Sequence, residues 1–248
     1  MAWHTNRRAA TTSLTVFLTA GTAFLTAGTA LFLTAGPAWA DLVVIRAKGG
    51  GVKPGQVVPP GFVITLPAAS NATLLSRDGQ TITLTGPFSG PVTEPGGGSG
   101  GDNTGITMVS RLLAANTADT STLGVTRAVA FSDPHAINFA NGTHCHFGDE
   151  MPKFIRAAGS PPDRLTVSGA SGVSQSLVWP KNEAFVTWPN SVALTNGIYT
   201  LRLASEPNPV TLALHLVPRP VQAPGAIAIW MAEHQCPTQA AQLLSTLR

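Results

Sequence analysis

Charged side chains are scarce in this sequence, and so are cysteine and tyrosine. Only 11% of the 248 residues are Asp, Glu, Lys or Arg, and the chain has two cysteines and one tyrosine. Beyond the first eight residues the basic side chains are scattered, which leaves no basic cluster of the kind that binds nucleic acid. No phosphate-cradling glycine loop, dinucleotide fingerprint, HExxH helix or serine triad occurs. The sequence therefore predicts no nucleic-acid partner and no cofactor, and it gives no support for an enzyme.

The first forty residues have the features of an export signal. Arg7 and Arg8 are followed by a long uncharged stretch that ends in the small-residue sequence A-W-A. A basic start, an apolar middle and small residues before the cut are what a signal peptidase reads, so we expect cleavage between Ala40 and Asp41. Cleavage leaves a mature chain with a net charge of about +1. The apolar stretch is also long enough to cross a bilayer as a helix, so the alternative is an uncleaved N-terminal anchor.

The two cysteines of the mature chain are Cys145 and Cys236. In the oxidising compartment that an export signal implies, we expect them to form a disulfide. The bond would close a loop of 91 residues. A loop of that size stabilises a fold by roughly 4 to 5 kcal/mol at most on the chain-entropy model. The alternative is a pair of buried free thiols.

The mature sequence consists mainly of short apolar runs separated by Gly, Pro, Asn and Ser, which predicts a mainly β fold. Asp78-Gly79 lies between two such runs and predicts a hairpin turn, since the glycine accommodates a positive φ. We expect an N-terminal β-meander of four or five strands, an antiparallel sandwich, one short helix mid-chain and a C-terminal helical tail. The predicted divisions are a signal peptide at 1–40, the β-meander at 41–93, a glycine-rich linker at 94–104, a short helical connection at 105–123, the sandwich domain at 124–222 and the tail at 223–248.

Two helical segments are predicted in the tail, each opened by a proline, Pro224 and Pro237, that suits the first helical turn. The mid-chain helix is predicted from the spacing of apolar residues between Ile106 and Leu113. The linker contains a G-x-S-x-G match at Ser99. A hydrolase elbow needs a strand before the serine and a helix after it, and low-complexity glycine supplies neither.

Part of the N-terminal segment resembles the repeated β-segments of FecR-like periplasmic domains. The matching positions are Val52, Gly55, Gly61, Ile64, Leu75, Asp78, Gly79, Leu84 and Gly86. The later half is similar to an immunoglobulin-like strand set, through LVWP, VTWP and a G-x-Y-x-L-x-L run that begins at Gly197. The resemblances imply an exported location and a β architecture. FecR-like regulators carry a cytoplasmic domain before their membrane span, whereas this sequence offers only about ten residues before its apolar stretch, so we do not expect regulation of a sigma factor.

The segment with the most chemically active side chains is N-G-T-H-C-H-F-G-D-E at 141–150. On a strand, His144 and His146 would share a face and could reach one metal ion, while Cys145 between them points the other way. Further ligands would have to come from the acidic and histidine residues nearby, which are Asp133, His135 and Asp149. The alternative is that both are ordinary histidines on a strand whose important residue is the cysteine.

Trp179 and Trp188 each precede a proline and lie nine residues apart. Such a pair is a candidate stacking platform for a sugar or a proline-rich peptide. The alternative is burial in the core, which the alternation in FVTWP favours.

Three functional hypotheses follow from these features. The first is an exported, non-catalytic binding or structural module of the bacterial cell envelope, periplasmic or secreted, whose partner is an unknown envelope protein or glycan. The second is a periplasmic metal-binding protein or metal-dependent enzyme centred on His144 and His146. The third is a membrane-tethered periplasmic sensor that keeps its N-terminal helix.

Overall fold

A computed structural model of the chain describes residues 41–93, 103–119, 133, 135–140, 142–147, 150–157, 159–220 and 223–247. Within these ranges the chain forms 14 strands, arranged in four sheets, and three helices. This confirms the mainly β fold. The predicted signal with its last residue Ala40, the glycine-rich segment with Ser99, and Asp149 lie outside the described residues.

Six strands form the N-terminal part of the structure. They are β1 (Leu42–Lys48), β2 (Val57–Val58), β3 (Val63–Leu66), β4 (Asn71–Leu75), β5 (Thr81–Thr85) and β6 (Phe88–Pro91). The N-terminal sheet has the antiparallel order β2-β1-β4-β5, and β3 pairs with β6 in a separate two-stranded ribbon. The arrangement is therefore not the simple meander that was expected, because β4 returns to pair with β1.

Strand β1 is buried on both of its faces. Successive side chains of a strand point to opposite sides, and the run Leu42–Ile45 has almost no exposed surface. Val43 and Ile45 belong to a core shared with the helices, whereas Leu42 and Val44 pack with the residues of the β3–β6 ribbon. Burial on both faces explains why the residues of β1 begin with a continuous apolar run rather than an alternating one.

Eight further strands form a sandwich-like unit. They are β7 (Ala136–Asn138), β8 (Gly142–His146), β9 (Lys153–Ile155), β10 (Asp163–Ser168), β11 (Ser174–Trp179), β12 (Phe185–Thr187), β13 (Gly197–Leu203) and β14 (Val210–Leu216). A five-stranded sheet has the order β11-β10-β13-β14-β8, and a three-stranded sheet has the order β12-β9-β7. Two pairings, β8 with β14 and β7 with β9, are parallel. The expectation of a purely antiparallel sandwich is wrong for these two edges.

The three helices are α1 (Thr104–Asp119), α2 (Pro224–Glu233) and α3 (Pro237–Thr246). Both tail helices begin at the predicted prolines, where a missing N–H costs no helical hydrogen bond. All three helices share one core with β1 and β4 of the N-terminal sheet. The helical tail covers the N-terminal sheet and is joined to the sandwich by the disulfide.

Candidate functional site

The disulfide lies where the sandwich meets the helices. Cys145 is in β8 and Cys236 immediately precedes α3, with an S–S distance of 2.08 Å and a Cα–Cα distance of 6.0 Å. Both residues are buried. This confirms the predicted pairing. The bond attaches an edge strand of the five-stranded sheet to the helical pair that packs on the N-terminal sheet.

The side chain of Gln239 completes the outer edge of β8. Its Oε1 accepts a hydrogen bond from the N–H of Cys145 at 2.7 Å, and its Nε2 donates to the carbonyl of Cys145 at 2.8 Å. Strand β8 pairs with β14 on its other side. The amide of Gln239 thus satisfies two buried backbone groups that an edge strand would leave open.

His144 is buried beside this amide. Its Nε2 lies 3.4 Å from Nε2 of Gln239. Because Oε1 of Gln239 must face the N–H of Cys145, Nε2 of Gln239 is a donor and Nε2 of His144 is the acceptor. Burial, together with the neighbouring His146 and His135, lowers the pKa of His144 to about 3. His144 is therefore a neutral, hydrogen-bonded side chain at physiological pH.

His146 has a different neighbour. Its ring centroid lies 6.0 Å from that of His135 in an edge-on arrangement, and His135 stacks on Phe147 at 4.3 Å. Burial, His135 and the Arg219 guanidinium lower the pKa of His146, against a hydrogen bond to the backbone of Glu150 that raises it. The Nδ1 atoms of both rings are buried and have no hydrogen-bond partner among the described residues.

Two separate cavities flank β8. The polar cleft, of about 370 Å³, lies between β7, β8 and the start of α3. Its polar lining residues are Asp133, Asn138, Thr143, His144, Gln235, Thr238, Gln239 and Gln242. The apolar cavity, of about 290 Å³, is lined by Phe147, Met151, Leu194, Leu216 and Val217, together with His146, Glu150 and Arg219. The two histidines predicted to share one metal ion therefore line different cavities.

Other predicted ligands contribute little to a shared metal centre. Oδ1 of Asp133 accepts a hydrogen bond from the backbone N–H of His135 at 2.9 Å. Across the described ranges, no three His, Cys, Asp or Glu side chains are grouped so that they could hold a metal ion. Metal binding at His144 and His146 stays a prediction, and the geometry pairs His146 with His135 instead.

The two tryptophans lie in the core of the sandwich. Trp179 is 0% exposed and Trp188 is 1% exposed. Each indole N–H donates to a backbone carbonyl four residues away, at 2.9 Å for Trp179 and 2.8 Å for Trp188. Trp188 also stacks on Phe154 at 5.4 Å. Both tryptophans are therefore core residues, as the alternative interpretation of the sequence expected, and neither ring has an exposed face on which a ligand could stack.

Sequence reasoning did not find Gln239. It lies 94 residues from Cys145, with which it bonds, and no local motif marks it. The only signal in the sequence was its place three residues after Cys236, one helical turn into the segment that a disulfide would bring to β8.

No protein-family model matches this chain, and no curated protein matches it either. Of the helices in the described ranges, none has the length and apolar character needed to cross a membrane.

Proposed function

We propose that this protein is an exported, non-catalytic binding module of the bacterial cell envelope, periplasmic or secreted. The observation that carries the proposal is the buried disulfide between β8 and the helical tail. Such bonds persist in oxidising compartments and are rare in the cytosol. The export signal at 1–40 and the absence of a catalytic motif in the sequence support the same assignment.

The resemblance to immunoglobulin-like sandwiches is part of this proposal. The hydroxyl of Tyr199, near the start of β13, donates to the carbonyl of Ala193 at 2.8 Å and accepts from the N–H of Thr195 at 3.0 Å. A tyrosine that bonds the backbone a few residues upstream is a feature of immunoglobulin-like domains. Such domains commonly serve binding at the cell surface, and function has to be argued from a site.

The polar cleft is the candidate ligand site. Its volume falls in the range of small-molecule sites, about 300 to 1,000 Å³. Its described lining is rich in amides and hydroxyls, and with His144 neutral only Asp133 among these residues carries a formal charge. Neutral donors and acceptors suit an uncharged, hydroxyl-rich ligand, and we assign the cleft to a sugar unit of an envelope glycan.

Two experiments test the proposal. Fractionation of the producing cell, followed by alkylation under denaturing conditions, should find the protein outside the cytoplasm with both cysteines blocked by their bond. Recovery from the cytosol with two reactive thiols would contradict the assignment.

Glycan binding is tested by titrating soluble peptidoglycan and other envelope glycan fragments into the exported protein. Thr238→Val alters an exposed hydroxyl that lines the cleft, and Thr200→Val makes the same change on an exposed position of β13. We expect Thr238→Val to weaken binding and Thr200→Val to leave it unchanged. Equal effects of the two substitutions, or no binding of any fragment, would remove the cleft from the proposal without affecting the assignment to the envelope.

A further inference from the structure

We propose that His135 and His146 bind one Cu(I) ion through their Nδ1 atoms, with the thioether of Met151 as a third donor. The site lies on the apolar-cavity side of β8 and does not involve the polar cleft. The copper proposal can therefore be tested independently of glycan binding.

The first argument is a pair of unsatisfied buried atoms. Nδ1 of His135 and Nδ1 of His146 are both shielded from solvent and lack a hydrogen-bond partner within the described part of the chain. The whole side chain of His146 is only 5% exposed. Buried polar atoms are nearly always paired in native structures, so each of these nitrogens needs a partner, and one shared ion would supply it to both.

The second argument is the place of the two rings. His146 lies in β8 and lines the same cavity as Met151. His135 stacks on Phe147, the residue after His146, at 4.3 Å. One cavity edge thus brings together two imidazoles and a thioether, which are all groups that bind soft metal ions.

The distance between the rings fits one shared ion. Their centroids are 6.0 Å apart and their planes are inclined by 68°. The proposal places both Nδ1 atoms toward the space between the rings. With metal–nitrogen bonds of about 2.0 Å, two imidazoles on nearly opposite sides of one ion would then have centroids about 6 Å apart. A tetrahedral angle would bring the rings closer together. The spacing therefore favours a wide N–metal–N angle, with the thioether as a third and weaker ligand of Cu(I), over the tetrahedral geometry of Zn²⁺.

The surroundings favour a soft, monovalent ion. Imidazole and thioether groups are uncharged when they bind a metal ion, and thioethers select Cu(I) among the common metals. Arg219 lines the same cavity as His146, and its positive charge opposes a divalent ion more than a monovalent one. Glu150 also lines this cavity but is exposed.

His144 is not part of the site, although the sequence pairs it with His146. Its Nε2 electron pair accepts the hydrogen bond from Gln239, and its ring lines the polar cleft. The structure thus replaces the local pair, two residues apart, with a pair formed by His146 of β8 and His135, which immediately precedes β7.

The test uses the exported protein, under anaerobic conditions, in competition with bicinchoninate for Cu(I). We expect the protein to withdraw one equivalent of Cu(I) from the chelator. His135→Ala should weaken binding at least tenfold, about the lower limit seen when only a supporting group of a metal ligand is lost. Met151→Leu, which keeps the side-chain volume, should give a smaller loss.

The matched control is the other close histidine pair. The rings of His215 and His234 lie 5.5 Å apart, and the double variant H215A/H234A should bind Cu(I) as the wild type does. Loss of binding in this control, or full retention in His135→Ala, would overturn the proposal. Tighter binding of Zn²⁺ than of Cu(I) would also overturn it.

A measurement on the unaltered protein guards against misfolded variants. X-ray absorption at the copper edge of the loaded wild type should show two nitrogen ligands and one sulfur ligand. A spectrum without the sulfur ligand would contradict the role of Met151, and one without imidazole scattering would contradict the whole site.

Discussion

Acidification is expected to destabilise the fold through His144. Burial, with the neighbouring His146 and His135, lowers the pKa of its imidazole to about 3 in the folded protein, whereas a histidine in an unfolded chain titrates near 6.5. Between these values the unfolded chain takes up a proton that the folded protein excludes. The stability that depends on neutral His144 is therefore complete above about pH 6.5 and is lost progressively as the pH falls toward 3.

The size of the effect follows from the same shift. Each pH unit below 6.5 costs about 1.4 kcal/mol for one excluded proton, so the loss at pH 5 is about 2 kcal/mol from His144 alone. The pKa of His146 is lowered as well, first by burial, and its contribution has the same sign. The total loss between pH 7.5 and pH 5 should thus exceed the share of His144.

The assay is urea unfolding at the two pH values with the disulfide intact, followed by the fluorescence of the buried tryptophans. The quantity compared is the free energy of unfolding at pH 7.5 minus that at pH 5. In His144→Gln this difference should be about 2 kcal/mol smaller than in the wild type, because His144 no longer takes up a proton on unfolding. A packing loss that is the same at both pH values does not affect the difference. Val167→Ala, a buried truncation in β10, should lower stability at both pH values and keep the full difference. A wild type equally stable at both, or an undiminished difference in His144→Gln, would refute the reasoning.

Two further predictions concern packing at the helices. Gly79 has a φ of +83°, and a Cβ there would lie 2.0 Å from the backbone N of Ala226 in α2, so Gly79→Ala should destabilise the protein by several kcal/mol in urea unfolding. Gly172→Ala, at a φ of +81° with nothing within 4 Å, should cost only about 1 to 2 kcal/mol, and equal costs would show that the contact with Ala226 is unimportant. Gln239→Leu removes the hydrogen-bond partners of two buried backbone groups of Cys145, and each unsatisfied group should cost about 1 to 3 kcal/mol of stability. The midpoint of thermal unfolding should therefore fall, and an unchanged midpoint would contradict this role of Gln239.

Local chemistry in the sequence was sufficient to place most elements. The prolines at 224 and 237 begin the tail helices, and the turn at Gly79 joins β4 to β5. These features depend on one or two residues and their φ angles, which a sequence displays directly. The disulfide was equally accessible to prediction, since two cysteines have a single intramolecular pairing.

The order of strands and the partners of β8 could not be predicted in this way. Strand β8 pairs in parallel with β14, some 70 residues later, and the contact with Gln239 spans 94 residues. Strand order and strand partners are determined by tertiary packing, and the local hydrophobic pattern of a sequence carries no information about them. For the same reason the sequence paired His146 with its neighbour His144, whereas the fold brings it to His135.

The intact mass of the protein recovered from the producing cell, before and after reduction, tests the central claim most directly. We predict a chain that begins at Asp41 and gains two hydrogen atoms on reduction, as removal of the signal and closure of the Cys145–Cys236 bond require. A product that retains residues 1–40 would instead favour a membrane-tethered sensor. A mass unchanged by reduction would contradict the disulfide-braced, exported module proposed for this protein.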